Sequence, residues 1–95
     1  MLKLTEQAVS DLQEIAEYTT ATWGSRQRDI YMHMMESCFD KLSVFPHLGV
    51  SADYIFDGCR KYPAGKHLIL YRFISEAGIE VITIVSQNMD IEVMF

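Results

Sequence analysis

Residues 59–86 read CRKYPAGKHLILYRFISEAGIEVITIVS, and this run decides the fold class. Cys59-Arg60-Lys61-Tyr62 alternates in character and predicts a strand ending at Pro63, after which Ala64-Gly65 turns the chain. The stretch from His67 to Ile74 is too short and too continuously apolar for a surface helix. Glu76-Ala77-Gly78 predicts a hairpin turn, and Ile79 to Val85 is β-branched nearly throughout. Both long strands carry apolar residues on both faces, so something must cover the sheet on each side. One cover is expected from the N-terminal half, the other from the C-terminal tail or a partner.

Upstream, Leu2-Lys3-Leu4 reads as a short strand and Thr5 as a helix cap. Ala8, Leu12, Ile15, Ala16 and Thr19 recur at helical spacing, which predicts an amphipathic helix with Asp11, Glu14 and Glu17 on its solvated side. Trp23-Gly24 ends it, and Ser25 is expected to cap a second helix that folds back antiparallel on the first. That helix carries Ile30, Tyr31, Met34, Met35, Cys38, Phe39, Leu42 and Phe45, a stripe too wide for one contact, and stops at Pro46. Residues 46–58 read as loop with at most one short turn. The expectation is one α+β domain over residues 1–95: a short N-terminal strand, a two-helix hairpin, an antiparallel sheet of about three strands and a C-terminal tail.

Ninety-five residues hold one core, burying roughly 60–65% of the unfolded surface. A net charge of −5 argues against direct nucleic-acid binding, which draws its affinity from neutralised phosphates. Yet Arg60, Lys61, Lys66 and Arg72 cluster, keeping an anionic or protein target open. Cys38 and Cys59 lack redox or metal spacing and read as reduced. No apolar run approaches membrane-spanning length and no signal peptide is legible, so a cytoplasmic protein with no membrane partner is expected.

His33, His47 and His67 have no ligand spacing, so no metal and no cofactor is expected. No catalytic residue is assigned, because no nucleophile motif or phosphate-cradling glycine pattern occurs. Arg60, Lys61, Lys66, His67 and Arg72 on adjacent strands form either a patch for an anion or protein, or surface charge guarding the sheet.

The order of segments is similar to that of ParE-type toxins of the RelE/ParE superfamily, from type II toxin–antitoxin systems. The resemblance covers essentially the whole chain. It rests on Ala8, Asp11-Leu12, Ile15 and Tyr18; Trp23-Gly24; Gln27, Tyr31 and Phe39; Phe45-Pro46 and Gly49; Gly58 to Lys61; Gly65 to Arg72; and Met89-Asp90. It implies a non-enzymatic protein that poisons DNA gyrase and is restrained by a ParD-like antitoxin. For target contact it points to Arg60, Lys61, His67, Arg72, Met89 and Asp90. For the antitoxin, Tyr31, Met34, Met35 and Phe39 are expected to line a groove opposite Leu12, Ile15 and Trp23.

The family often reads Arg-Ile-Leu-His shortly before the Met-Asp pair, where this chain has Thr83-Ile84-Val85-Ser86. Two other readings stay open, the second of them motivated by this departure. One is a RelE-like, ribosome-dependent messenger-RNA ribonuclease, for which Arg60 and His67 are the available groups. The other is a copy that binds its antitoxin but no longer poisons a target.

Overall fold

The first strand finds its partner at the far end of the chain. In the computed structural model, which describes residues 1–75 and 78–87, β1 (Leu2–Leu4) lies parallel to β5 (Gly78–Ser86), pairing Leu2 with Ile79 and Leu4 with Val81. Between them in sequence come α1 (Glu6–Trp23), α2 (Ser25–Val44), a 3-10 turn at Pro46–Leu48, β2 (Val50–Ser51), β3 (Arg60–Ala64) and β4 (His67–Ser75). The sheet order is β1-β5-β4-β3-β2, antiparallel except at β1. The expected strands are present, β3 running one residue past Pro63, and the α+β class holds. The short N-terminal strand was expected, but not its parallel place in the sheet, nor the two-residue β2; together they bring the sheet from about three strands to five. The expected turn at Glu76-Ala77 and the tail beyond Gln87 lie outside the described residues.

Thr5 caps α1 as expected, its Oγ1 accepting the Ala8 amide at 3.0 Å. Gly24 closes α1 at φ +90°, a region that favours glycine, and its amide donates to the Thr20 carbonyl. The same glycine is the N-cap of α2; Ser25 is already helical and gives no side-chain cap, so the expected serine cap is absent. With a single residue between them, the helices have room only to fold back on each other.

Two cores result, one on each face of the sheet. Ala8 and Ile15 of α1 and Met35, Phe39 and Leu42 of α2 pack on Ile69, Tyr71, Ile79, Val81 and Ile84. The opposite face buries Leu70 and Val85 beneath Ala52, Ile55 and Cys59. The second cover is therefore the segment between β2 and β3. It is fixed by backbone bonds from Ala52 to Cys59 and from Ile55 to Ala52, and by Asp53, whose carboxylate accepts the Gly58 amide and the Ser51 hydroxyl. Those bonds hold the Asp53 carboxyl below its usual range.

The buried stripe of α1 is Ala8, Asp11, Ile15 and Thr19, so Asp11 faces inward rather than to solvent. Its Oδ2 accepts the Thr83 hydroxyl at 2.6 Å and the Ile84 amide at 3.0 Å, while Oδ1 accepts from Gln7 at 2.8 Å. Beside it, Thr5 donates its hydroxyl to the Ile82 carbonyl at 2.6 Å. Ile82 is the extra residue of a bulge, because Tyr71 pairs with Val81 and Leu70 with Thr83. Past the end of β1, α1 thus supplies with side chains some of the bonds a neighbouring strand would have made.

Candidate functional site

Where α1 runs beside the free half of β5, the surface is concave. One hollow of about 670 Å³ is lined by Glu14, Ile15 and Tyr18 of α1, and by Ile82 to Ser86 of β5. A second of about 500 Å³ lies between Trp23 of α1, Gln27 and Tyr31 of α2, and Lys66 at the β3–β4 turn. Tyr18 and His67 line both, so they form one groove along the hairpin. Tyr18 and Trp23 are 68% and 65% exposed, standing as apolar walls that nothing in the chain's described part covers.

The floor between the hollows is rigid. Tyr31 reaches from α2 to the β3–β4 turn, where its Oη accepts the Lys66 amide at 2.9 Å and lies 2.6 Å from Nδ1 of His67. The Ala64 carbonyl is 3.3 Å away, and the rings of Tyr31 and His67 meet edge to face. Gly65 is required here. It sits at φ +59°, and a Cβ would come within 2.7 Å of the Tyr31 hydroxyl. Burial raises the phenol above its ordinary pKa, opposed by the Lys66 amide, and burial lowers that of His67. With the imidazole neutral, the phenol donates either to Nδ1 or to the Ala64 carbonyl, the second arrangement placing the ring N–H on Nδ1 and leaving Nε2 without a proton.

Of the seven residues expected at an antitoxin groove, Ile15, Trp23 and Tyr31 do line it. Leu12 and Met34 are half-buried flanks of the main core. Met35 and Phe39 are not groove residues at all: at 0% and 4% exposure they are the contact between α2 and the sheet. The wide stripe misled because its centre (35, 39, 42) is core, its margin (31, 34, 38) is half-buried, and Ile30 and Phe45 are exposed. Tyr18 was missing from that set, although it stands three residues after Ile15, one helical turn along the same side.

The cations expected to touch a target are dispersed. Arg60 turns inward to brace the loop after α2, donating from Nε to the Gly49 carbonyl at 3.0 Å and from Nη2 to that of His47 at 3.3 Å. Lys61 donates to the Tyr54 hydroxyl at 2.8 Å. Arg72 pairs with Glu80 at 2.8 Å. His67 belongs to the groove, and Met89 and Asp90 lie outside the described residues. Thr83, one of the departures from the familiar pattern, is buried with its hydroxyl given to Asp11, so that change falls inside the molecule. Among the described residues no group of three or more His, Cys, Asp or Glu is placed to hold a metal ion, and no helix is long and apolar enough to cross a membrane.

The sequence and the fold have counterparts. The sequence model described as "ParE toxin of type II toxin-antitoxin system, parDE" matches residues 2–91. A protein named Toxin ParE1 from Mycobacterium tuberculosis (strain CDC 1551 / Oshkosh) is 33% identical over 89 residues, 94% of this chain and 91% of that protein. A Toxin ParE1 from Caulobacter vibrioides is 25% identical over 88 residues, 93% of this chain and 90% of that one. A chain of the solved "Chromosomal ParDE TA system from P. aeruginosa" superposes with a TM-score of 0.75 at 17% identity, over 90% of this chain and 92% of that one, a likeness of fold.

Proposed function

Because this chain belongs to the ParE toxin family of type II toxin–antitoxin systems, we propose that it poisons DNA gyrase by binding it without catalysis, and that a ParD-like antitoxin silences it by docking in the groove. The observation that carries the antitoxin half is the continuous hollow from Ile84 past Tyr18 and His67 to Trp23. Its walls include the exposed rings of Tyr18 and Trp23, both set on α1. Tyr and Trp in such settings dominate binding energies, since they bury large area while losing little rotamer freedom. An antitoxin segment that orders on binding needs this kind of apolar seat to offset its lost entropy.

The gyrase half rests on family membership. Its test is to mix the purified chain with gyrase, ATP and plasmid, and to read supercoiling and cleaved DNA. Lost supercoiling together with accumulated cleavage supports the reading, and abolition of both by the antitoxin supports the groove. Unchanged supercoiling with a large excess of toxin over gyrase would sink it and favour the copy that binds antitoxin without poisoning.

One observation favours ribosome-dependent cleavage of messenger RNA as a second reading. The hydrogen-bonded Tyr31–His67 pair sits in a cleft beside Lys66, and a neutral imidazole can accept a proton. Intact messenger RNA in cells arrested by the chain would dispose of it.

A further inference from the structure

At the end of β4 remote from His67, the chain holds an apolar loop rigidly in the open. Phe45 and Leu48, bracketing the 3-10 turn, are 59% and 46% exposed, and Val44 and Phe73 are exposed beside them. The ring of His47 meets that of Phe73 edge to face at 4.8 Å between centroids, which joins the loop to β4. A loop that only connects α2 to β2 needs no internal bracing. This one has two braces from the sheet.

The buried phenol of Tyr71 donates to the Pro46 carbonyl at 2.6 Å and accepts the Gly49 amide at 2.8 Å. Arg60 takes the carbonyls of His47 and Gly49. Gly49 packs so closely on the phenol that a Cβ there would collide with its oxygen. Four side-chain bonds from two strands thus fix residues 46–49 while leaving the apolar side chains around them to solvent. Ordering has been completed before any partner arrives, and such preorganisation raises affinity by removing its entropic cost.

The rim carries a sign. Lys41 and Arg60 flank the loop as cations, and Asp40 is the carboxylate in the neighbouring turn of α2. In a chain of net charge −5, a basic rim about an apolar centre suits a partner surface that is apolar in the middle and acidic at its edge. The groove is lined by other residues: none of Val44, Phe45, Leu48 and Phe73 borders either hollow.

The geometry points to the surface formed by Val44, Phe45, Leu48 and Phe73, rimmed by Lys41 and Arg60, as the face that docks the toxin's target, a folded protein with an acidic border. The assignment rests on the toxin reading above, and it separates the target face from the antitoxin groove. Docking here is driven by Phe45 and Leu48, with Arg60 acting as a strut for the loop.

The test is the chain with Phe45→Ser and Leu48→Ser together, two exposed positions, beside the unaltered chain. Each is expressed without antitoxin to read growth arrest, and assayed with gyrase and plasmid. The expected result is at least a tenfold loss of potency in both assays, with an unchanged melting temperature and antitoxin affinity within twofold. Arrest at unaltered potency overturns the proposal. If the unaltered chain arrests growth without touching gyrase, the gyrase reading falls and the face is judged on arrest alone. If sedimentation shows the substitutions abolishing self-association while arrest persists, the face belongs to a second copy of the chain and the proposal fails. An unaltered chain that arrests nothing overturns both readings.

Discussion

Replacing Asp11 by Ala strands the Thr83 hydroxyl and the Ile84 amide in a nearly dry environment. Hydrogen bonds to a charged acceptor contribute about 1.5–3 kcal/mol, so Asp11→Ala should cost on the order of 2–4 kcal/mol in urea unfolding. Thr83→Val should cost less, and the double variant less than the sum, because the two share a bond. The burial of Asp11 was legible in spacing though not in residue type: 8, 11, 15 and 19 is a helical stripe, and the carboxylate alone argued for placing it outside. What it bonds was not legible, because Thr83 lies 72 positions away. His67 gives a second prediction. Burial depresses its pKa below the ordinary 6.5, so the unfolded chain binds the proton more readily. Its contribution is therefore absent above about pH 7 and destabilises progressively as pH falls through 6.5 toward the folded value. The unfolding free energy of His67→Asn should fall less than that of the unaltered chain between pH 7 and 5. Cys59 behaves differently again. Burial, with the Asp53 charge second, pushes its thiol up to about 11, so iodoacetamide at pH 8 should modify it only after unfolding.

At the scale of elements, the sequence showed where the helices and long strands begin and end because local chemistry decides that: Thr5 caps, Gly24 turns, Pro46 stops. It did not show which element covers which face. The segment from Ala52 to Cys59 has too little periodicity to announce itself, yet it closes the second core with Ala52, Ile55 and Cys59. The same limit explains Met35 and Phe39. Periodicity showed a broad stripe on α2, whereas its division into core and margin depends on where the sheet lies. Met35→Asp should therefore fail to fold, read as loss of the cooperative transition in circular dichroism, whatever it does to binding. Tyr71→Phe is a milder probe of the loop after α2. It leaves the Pro46 carbonyl and Gly49 amide without their partner, a loss of about 1–3 kcal/mol by thermal unfolding.

Over the whole molecule, the two candidate surfaces should respond independently. Tyr18→Ala and Trp23→Ala remove exposed rings, so stability should change by no more than about 0.5 kcal/mol. Each should nonetheless weaken antitoxin binding by about 2 kcal/mol, roughly 30-fold, by titration calorimetry. Equal affinity in both variants would place the antitoxin elsewhere. The parallel pairing of β1 with β5 has a consequence in time rather than space. Synthesis delivers the hairpin of α1 and α2 first, at about 5–20 residues per second. Its platform is incomplete until β5, flanked by β1 and β4, leaves the ribosome. Until then Met35, Phe39 and Leu42 lack their contacts with Ile79, Val81 and Ile84, and Asp11 has neither Thr83 nor Ile84 to hold. A message cut or stopped before codon 78 therefore yields no weakened version of this fold, only a chain for proteases to clear. The fold, and every surface it presents, arrives only with β5.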